Sequence, residues 1–340
     1  MSAIAVAVMA LAAAPASADR RATEPAPFLF VMPAPAAVSQ AVVFEGSLTG
    51  RCVRLRTIPH ADGVDLSPNG RLLAVVRQGA RSSSLSVIAL KTGRERVVLR
   101  GEFGQAIWSP DSRLLAVPMS SPRPSIDLVD VGTARRRTLV AGAALPAAWS
   151  SDGRRLVFWT APRPPSDTFL ISAQIIGLNG QGRRLLMRER HLSVGPWSPD
   201  GASLLLVTHP RVGVEDLTLL YVDTGAVEVV ASRKHGFLTP VWSPDGLHIA
   251  FGSLPAARSP HEVFDASLAD GVIRRVTRTR SSAYPTWPGS QALAWSPRSD
   301  LILYHGQANV GVIKPDGTGR RALCKISPDG PISDAVWPTR

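Results

Sequence analysis

Three features of the 340-residue sequence predict an all-β fold, a seven-bladed β-propeller of four-stranded antiparallel blades. A short turn signature recurs along nearly the whole chain, a second turn signal sits between successive signatures, and the two terminal segments complement each other.

The signature is Leu66-Ser67-Pro68-Asn69-Gly70, Trp108-Ser109-Pro110-Asp111-Ser112, Trp149-Ser150-Ser151-Asp152-Gly153, Trp197-Ser198-Pro199-Asp200-Gly201, Trp242-Ser243-Pro244-Asp245-Gly246 and Trp295-Ser296-Pro297-Arg298-Ser299, with a truncated copy at Trp337-Pro338. From Leu66 to Trp337 the intervals are 42, 41, 48, 45, 53 and 42 residues, the length of one four-stranded blade per unit. Ser or Asp caps the turn with a side-chain oxygen, Pro presets φ, and Gly accepts the left-handed position that follows. An apolar run comes next each time, Leu72 to Val76 in the first copy and Leu301 to Tyr304 in the last, so the signature joins strands A and B. A second hairpin closes each unit, as in Leu85 to Leu90, Lys91-Thr92-Gly93 and Val97 to Leu99, which are strands C and D.

The ends complete the ring. Phe28 to Met32, Ala41 to Glu45 and Val53 to Ile58 read as strands B, C and D of a blade that lacks strand A, and Asp334 to Trp337 reads as strand A with nothing after it. One blade shared between the termini gives seven and removes the exposed sheet edges; six is the alternative if the terminal segments do not join.

This WSPDG turn followed by an apolar strand resembles the WD40-like repeat of TolB-type propellers, which also occurs in the propeller domains of prolyl-oligopeptidase-like peptidases and in oligogalacturonate lyases. The resemblance covers residues 27–340 as a single propeller domain and implies the fold, not the activity. It also implies a separate N-terminal domain, for which these residues leave no room, so the TolB role in the Tol–Pal system is not expected to carry over. Nor does a G-x-S-x-G nucleophile turn follow the propeller, as the peptidases would require.

Residues 1–18 form an apolar stretch ending in Ala16-Ser17-Ala18, which reads as a signal peptide cleaved near Ala18, with 19–26 a flexible N-terminus. A periplasmic or secreted protein without a membrane span is expected, because no later segment offers about 20 unbroken apolar residues. Cys52 and Cys324 fall in outermost strands, which diverge radially, and a disulfide needs Cα atoms within about 7 Å, so two unpaired thiols are expected.

The net charge of +12 comes almost entirely from Arg, in short runs without an aromatic platform, which argues against nucleic acid as a partner. The Trp side chains are expected to fill the wedges between blades, and the repeated Asp residues to cap turns rather than to bind metal. The seven histidines form no H-x-H or H-E-x-x-H pair and read as loop residues; no cofactor is expected.

Topology puts the A–B and C–D turns on one face of the ring and the B–C and D–A connections on the other. The second face carries Arg77, Arg81, Arg123, Arg163, Arg211 and Arg258 from B–C loops, and Arg190, His191, Arg233, Lys234 and His235 from D–A loops. Guanidinium forks suit carboxylates and phosphates. The leading expectation is therefore a monomeric, non-catalytic binding or assembly scaffold whose Arg-rich face meets an envelope or extracellular protein or an acidic glycan. In the competing view these are solvated charges of an Arg-rich chain. The alternative function is a metal-assisted lyase or hydrolase of an acidic oligosaccharide at the central channel, and a third is a truncated relative of a peptidase propeller.

Overall fold

The structure is a computed structural model that describes residues 27–33, 40–79, 82–160, 170–234, 236–256, 259–279, 290–306, 308–326 and 332–338. The expected signal segment and the flexible N-terminus lie outside the described residues.

Seven four-stranded antiparallel sheets follow one another around the chain. Blade 1 takes β1 (Phe28–Pro33), β2 (Gln40–Gly46) and β3 (Cys52–Pro59) from the start of the chain. Blade 2 holds β4 (Gly63–Leu66), β5 (Leu72–Gln78), β6 (Ser83–Ala89) and β7 (Glu95–Gly101), and blade 3 holds β8 (Ile107–Trp108), β9 (Leu114–Met119), β10 (Ser125–Asp130) and β11 (Arg136–Ala141). Blade 4 comprises β12 (Leu145–Trp149), β13 (Arg155–Thr160), β14 (Ile171–Gly177) and β15 (Arg184–Glu189); blade 5 comprises β16 (Leu192–Trp197), β17 (Ser203–Arg211), β18 (Val214–Tyr221) and β19 (Val227–Arg233). Blade 6 is built from β20 (Leu238–Trp242), β21 (His248–Ser253), β22 (Glu262–Ser267) and β23 (Ile273–Arg275), and blade 7 from β24 (Gln291–Trp295), β25 (Ile302–His305), β26 (Asn309–Ile313) and β27 (Arg321–Lys325). The last strand, β28 (Asp334–Val336), returns to blade 1 as its inner strand.

The signature works as its chemistry demands. In blade 3, Ser109 Oγ accepts the Leu114 N–H at 2.9 Å and donates to Asp111 Oδ1 at 2.6 Å, while the same Asp111 oxygen accepts the Arg113 N–H. Gly70, Gly153, Gly201 and Gly246 take φ between 64° and 72°. Where the repeat has Ser instead, Ser112 and Ser299 accept the same left-handed conformation, and each hydroxyl accepts an N–H from the preceding blade's turn, Asn69 and Asp245 respectively.

Each wedge between blades is filled by apolar side chains, and the Trp residues lie in it as expected: Trp108, Trp149, Trp197, Trp295 and Trp337 are all buried. The indoles also do something that sequence reasoning missed. Trp108 donates Nε1–H to the Asp65 carbonyl, Trp149 to Ile107, Trp242 to Pro196 and Trp295 to Val241, at 3.1 to 3.2 Å, each tying one inner strand to the inner strand before it. Trp197 is the exception, its ring lying under the Arg155 guanidinium at 5.0 Å.

Ring closure rests on three contacts. Strand β28 pairs with β1 through Leu29↔Val336, Phe30↔Ala335 and Val31↔Asp334. The Trp337 ring meets Phe28 at 5.7 Å, and Phe28 in turn packs against Gly46, where a Cβ would stand 2.2 Å from the ring. The third contact corrects an expectation: Cys52 and Cys324 are disulfide-bonded, with Cα atoms 5.7 Å apart. Radial divergence is overcome because the turn into β3 leans across blade 7, where Arg321 donates to the Leu48 carbonyl and Gly50 faces Leu323. Both cysteines then join Phe28, Phe30 and Trp337 in one apolar cluster.

Breaking this bond with reductant, or with Cys52→Ser and Cys324→Ser together, should cost about 2–4 kcal/mol of unfolding free energy. Urea titration with and without reductant checks this; coincident curves would contradict it.

Candidate functional site

Because every blade is an up-and-down meander, the B–C and D–A connections share one face, as expected. Of the residues singled out there, Arg81, Arg163, Arg258 and His235 lie outside the described residues. The rest divide into two groups. Arg123, Arg190, Arg211 and Lys234 are exposed and have no carboxylate within ion-pair distance among the described residues. Arg77 and Arg233 are committed elsewhere. Arg77 forks onto Glu95 at 2.5 Å and reaches the Pro59 carbonyl, and the half-buried Arg233 guanidinium sits 4.8 Å over the Phe264 ring, where burial lowers its pKa. His191 stands edge-on to His209 at 5.3 Å.

Several acids on the same face are spoken for. Glu262 is fully buried and takes Arg275, the Thr279 N–H and the Thr277 hydroxyl; Glu215 takes His209 Nε2 and the Phe237 N–H; Asp216 takes Ser232 Oγ. Among the described residues, the free cations therefore outweigh the free acids at this rim.

Three histidines depart from the loop reading: His209 lies near the end of β17, and two others lie in strands. His248 lies in β21 and pairs with the buried Asp265 at 3.0 Å, and His305 is fully buried at the end of β25, where burial pushes its imidazole down to about 4. No group of three or more His, Cys, Asp or Glu able to hold a metal occurs among the described residues. The repeat Asp residues cap turns: Ser150 and Ser198 hydroxyls donate to Asp152 and Asp200 and hold both carboxyls below the ordinary range.

One constellation was not singled out in the sequence. Asp65 and Asp334 are the only charged residues in the seven inner strands, and the fold brings them together. Their carboxyls lie close enough to influence one another, and the Leu66 N–H donates to Asp334 Oδ2 at 2.5 Å. Burial, then the Asp334 charge, raise Asp65 to about 8. Burial raises Asp334 too, against the pull of the Leu66 and Ala335 N–H groups and of Asp65. Like charges in contact cannot both ionise cheaply, so the pair keeps a proton at neutral pH. Beside it opens a cavity of about 450 Å³ between blades 1, 2 and 3, on the loop face. A second cavity of about 560 Å³, lined by Met119, Leu145, Trp159 and Ile171, lies between blades 3 and 4 and is mostly apolar.

Seven blades, a terminal strand that closes the ring and a serine-capped turn recurring in six of the blades define a WSPDG-repeat propeller. No family model matches the sequence. A Protein TolB homolog of Chlorobium luteolum is 31% identical over 148 residues, 41% of this chain and 32% of that protein, so the match covers about a third of the relative's length. Among solved structures, TolB from Acinetobacter baumannii superposes with a TM-score of 0.54 at 16% identity, covering 92% of this chain and 83% of that one. An oligogalacturonate lyase in complex with manganese gives 0.61 at 17% identity, covering 86% and 94%. The chain is a seven-bladed β-propeller that is similar to a TolB homolog over 41% of its length and shares its fold with TolB structures.

The folded chain holds the Asp65 proton up to about pH 8, whereas an unfolded Asp releases it near 3.8. The folded state therefore binds more protons between these values, and this contribution to stability falls as pH rises across that window. Asp65→Asn should remove that fall. Denaturant unfolding of both proteins at pH 5 and pH 8.5 reads it as a difference between the two; parallel behaviour would contradict the assignment.

Proposed function

We propose that this propeller is a non-catalytic binding and assembly scaffold working outside the cytoplasm, with its loop face turned to an acidic partner, a protein or an acidic glycan. The observation that carries the reading is the set of four cations, Arg123, Arg190, Arg211 and Lys234, exposed and without an ion-pair partner among the described residues, on a face where Glu262, Glu215 and Asp216 are already engaged. Arg forks bind carboxylates bidentately, and a rigid ring holds them at fixed spacing, so little order has to be created on binding.

The Cys52–Cys324 bond supports an oxidising compartment, where such bridges persist, and so fits the apolar leader ending at Ala18 and a periplasmic or secreted location. No described helix is long and apolar enough to cross a membrane, and a monomer is expected.

Titration with an acidic peptide and with an oligogalacturonide separates the two partner classes. Binding to the true class should weaken steeply with added salt, and the triple variant Arg123→Glu, Arg190→Glu, Arg211→Glu should lose at least about tenfold in affinity, ~1.4 kcal/mol. Binding that ignores both salt and the triple variant, or no binding to either probe, would overturn the proposal.

A further inference from the structure

The cavity beside the Asp65–Asp334 pair differs in character from the basic rim. Its lining contains no Lys or Arg, in a chain with 38 of them. Asp65, Ala74, Val76 and Leu85 project into it from the face of blade 2 that looks toward blade 3, as their cross-strand register requires. Gln40, Gln78 and Gln105 stand around it, and none of their side-chain amides hydrogen-bonds to another described residue. The half-buried Phe103 forms part of one wall. At the rim, Asp62 accepts the Gln78 N–H at 2.7 Å with one of its oxygens. A volume near 450 Å³ falls in the range, about 300–1,000 Å³, of small-molecule sites.

Unspent amides that both donate and accept match hydroxyl groups, an aromatic face matches the C–H face of a sugar ring, and two carboxyls side by side match a cation. We propose that this cavity binds a small amino sugar, with its ammonium group on Asp65, backed by Asp334, and its hydroxyls on Gln40, Gln78 and Gln105, and that binding drives the proton shared by the two carboxyls into solvent. An ammonium ion allows both carboxyls to ionise, since it supplies the positive charge that the shared proton supplied before. No covalent bond forms or breaks; one proton passes from Asp65 to the buffer.

The charged groups that could interfere are few. Strands β1 and β24, which pack against β4 and β28, carry none, nor does β8, whose Trp108 bonds the Asp65 carbonyl; Arg77 of β5 points away from the pair, to Glu95 and the Pro59 carbonyl. Asp62 and Glu102 stand in the loops at either side of blade 2 and reinforce the preference for a cation. The inference does not depend on the basic rim or on its acidic partner, and the two succeed or fail separately.

Calorimetric titration of the intact chain at pH 6, in two buffers of different ionisation heat, tests it with glucosamine, N-acetylglucosamine and glucose as probes. Glucosamine should bind at least about tenfold more tightly than the other two, with release of close to one proton. Asp65→Asn should abolish the proton release and cost about tenfold in affinity. Gln105→Ala, on an exposed loop, should weaken glucosamine several-fold and leave the proton count unchanged, which keeps the test intact if the Asp65 variant does not fold. Equal affinity for N-acetylglucosamine, binding of glucosamine without proton release, indifference to Gln105→Ala, or no heat from any probe would each overturn the proposal.

Discussion

The pairing of Asp334–Val336 with Leu29–Val31 is the contact on which the remaining structure depends. A propeller stores most of its apolar burial between blades, so a ring that is open at one place exposes two blade faces at once and leaves a sheet edge unpaired. Here only three residues of β28 close the gap, and three ladder pairs alone are a modest attachment. The chain reinforces them at three radii. Near the axis, Asp334 reaches across to the Leu66 N–H and to Asp65; in the middle, Trp337 packs on Phe28; at the rim, the Cys52–Cys324 bond clamps β27 to β3.

The same seam ties architecture to function. Asp65 and Asp334 meet only because the tail of the chain lies beside blade 2, and the amide-lined cavity is bounded by blades 1, 2 and 3 together. Away from the seam, Trp indoles bonded to the preceding inner strand, and turn serines bonded to the preceding turn, repeat a blade-to-blade tie around the ring. Such ties join the blades at the turn face, opposite the loops that carry Arg123, Arg190 and Arg211.

Much of this could be read from sequence because it is local chemistry repeated. The Ser, Pro, Asp and Gly of each signature act within five residues, so their recurrence marks strands A and B wherever it occurs, and the surplus of three strands at one end against one at the other gives the closed ring. What was missed is non-local. Cys52 and Cys324 were set apart by their radial place, and only the lean of the Ser47–Arg51 turn over blade 7 brings them within bonding reach. The carboxyl pair joins strands 268 residues apart at the Leu66 to Asp334 hydrogen bond. A signal for it did exist: at the positions one and three before the Trp site, the other repeats carry uncharged residues, and Asp65 and Asp334 are the two that break the pattern. The rim was legible in kind but not in detail, since sequence could not show that Arg77 is spent on Glu95 and Arg233 on Phe264.

Amide hydrogen exchange across the closing seam tests the account most directly. If β28 completes blade 1, the Leu29 and Val31 amides and the Leu66 amide held by Asp334 should exchange as slowly as the core strands β17 and β18. Exchange of the seam amides within seconds, while β17 and β18 stay protected, would show an open ring and contradict it.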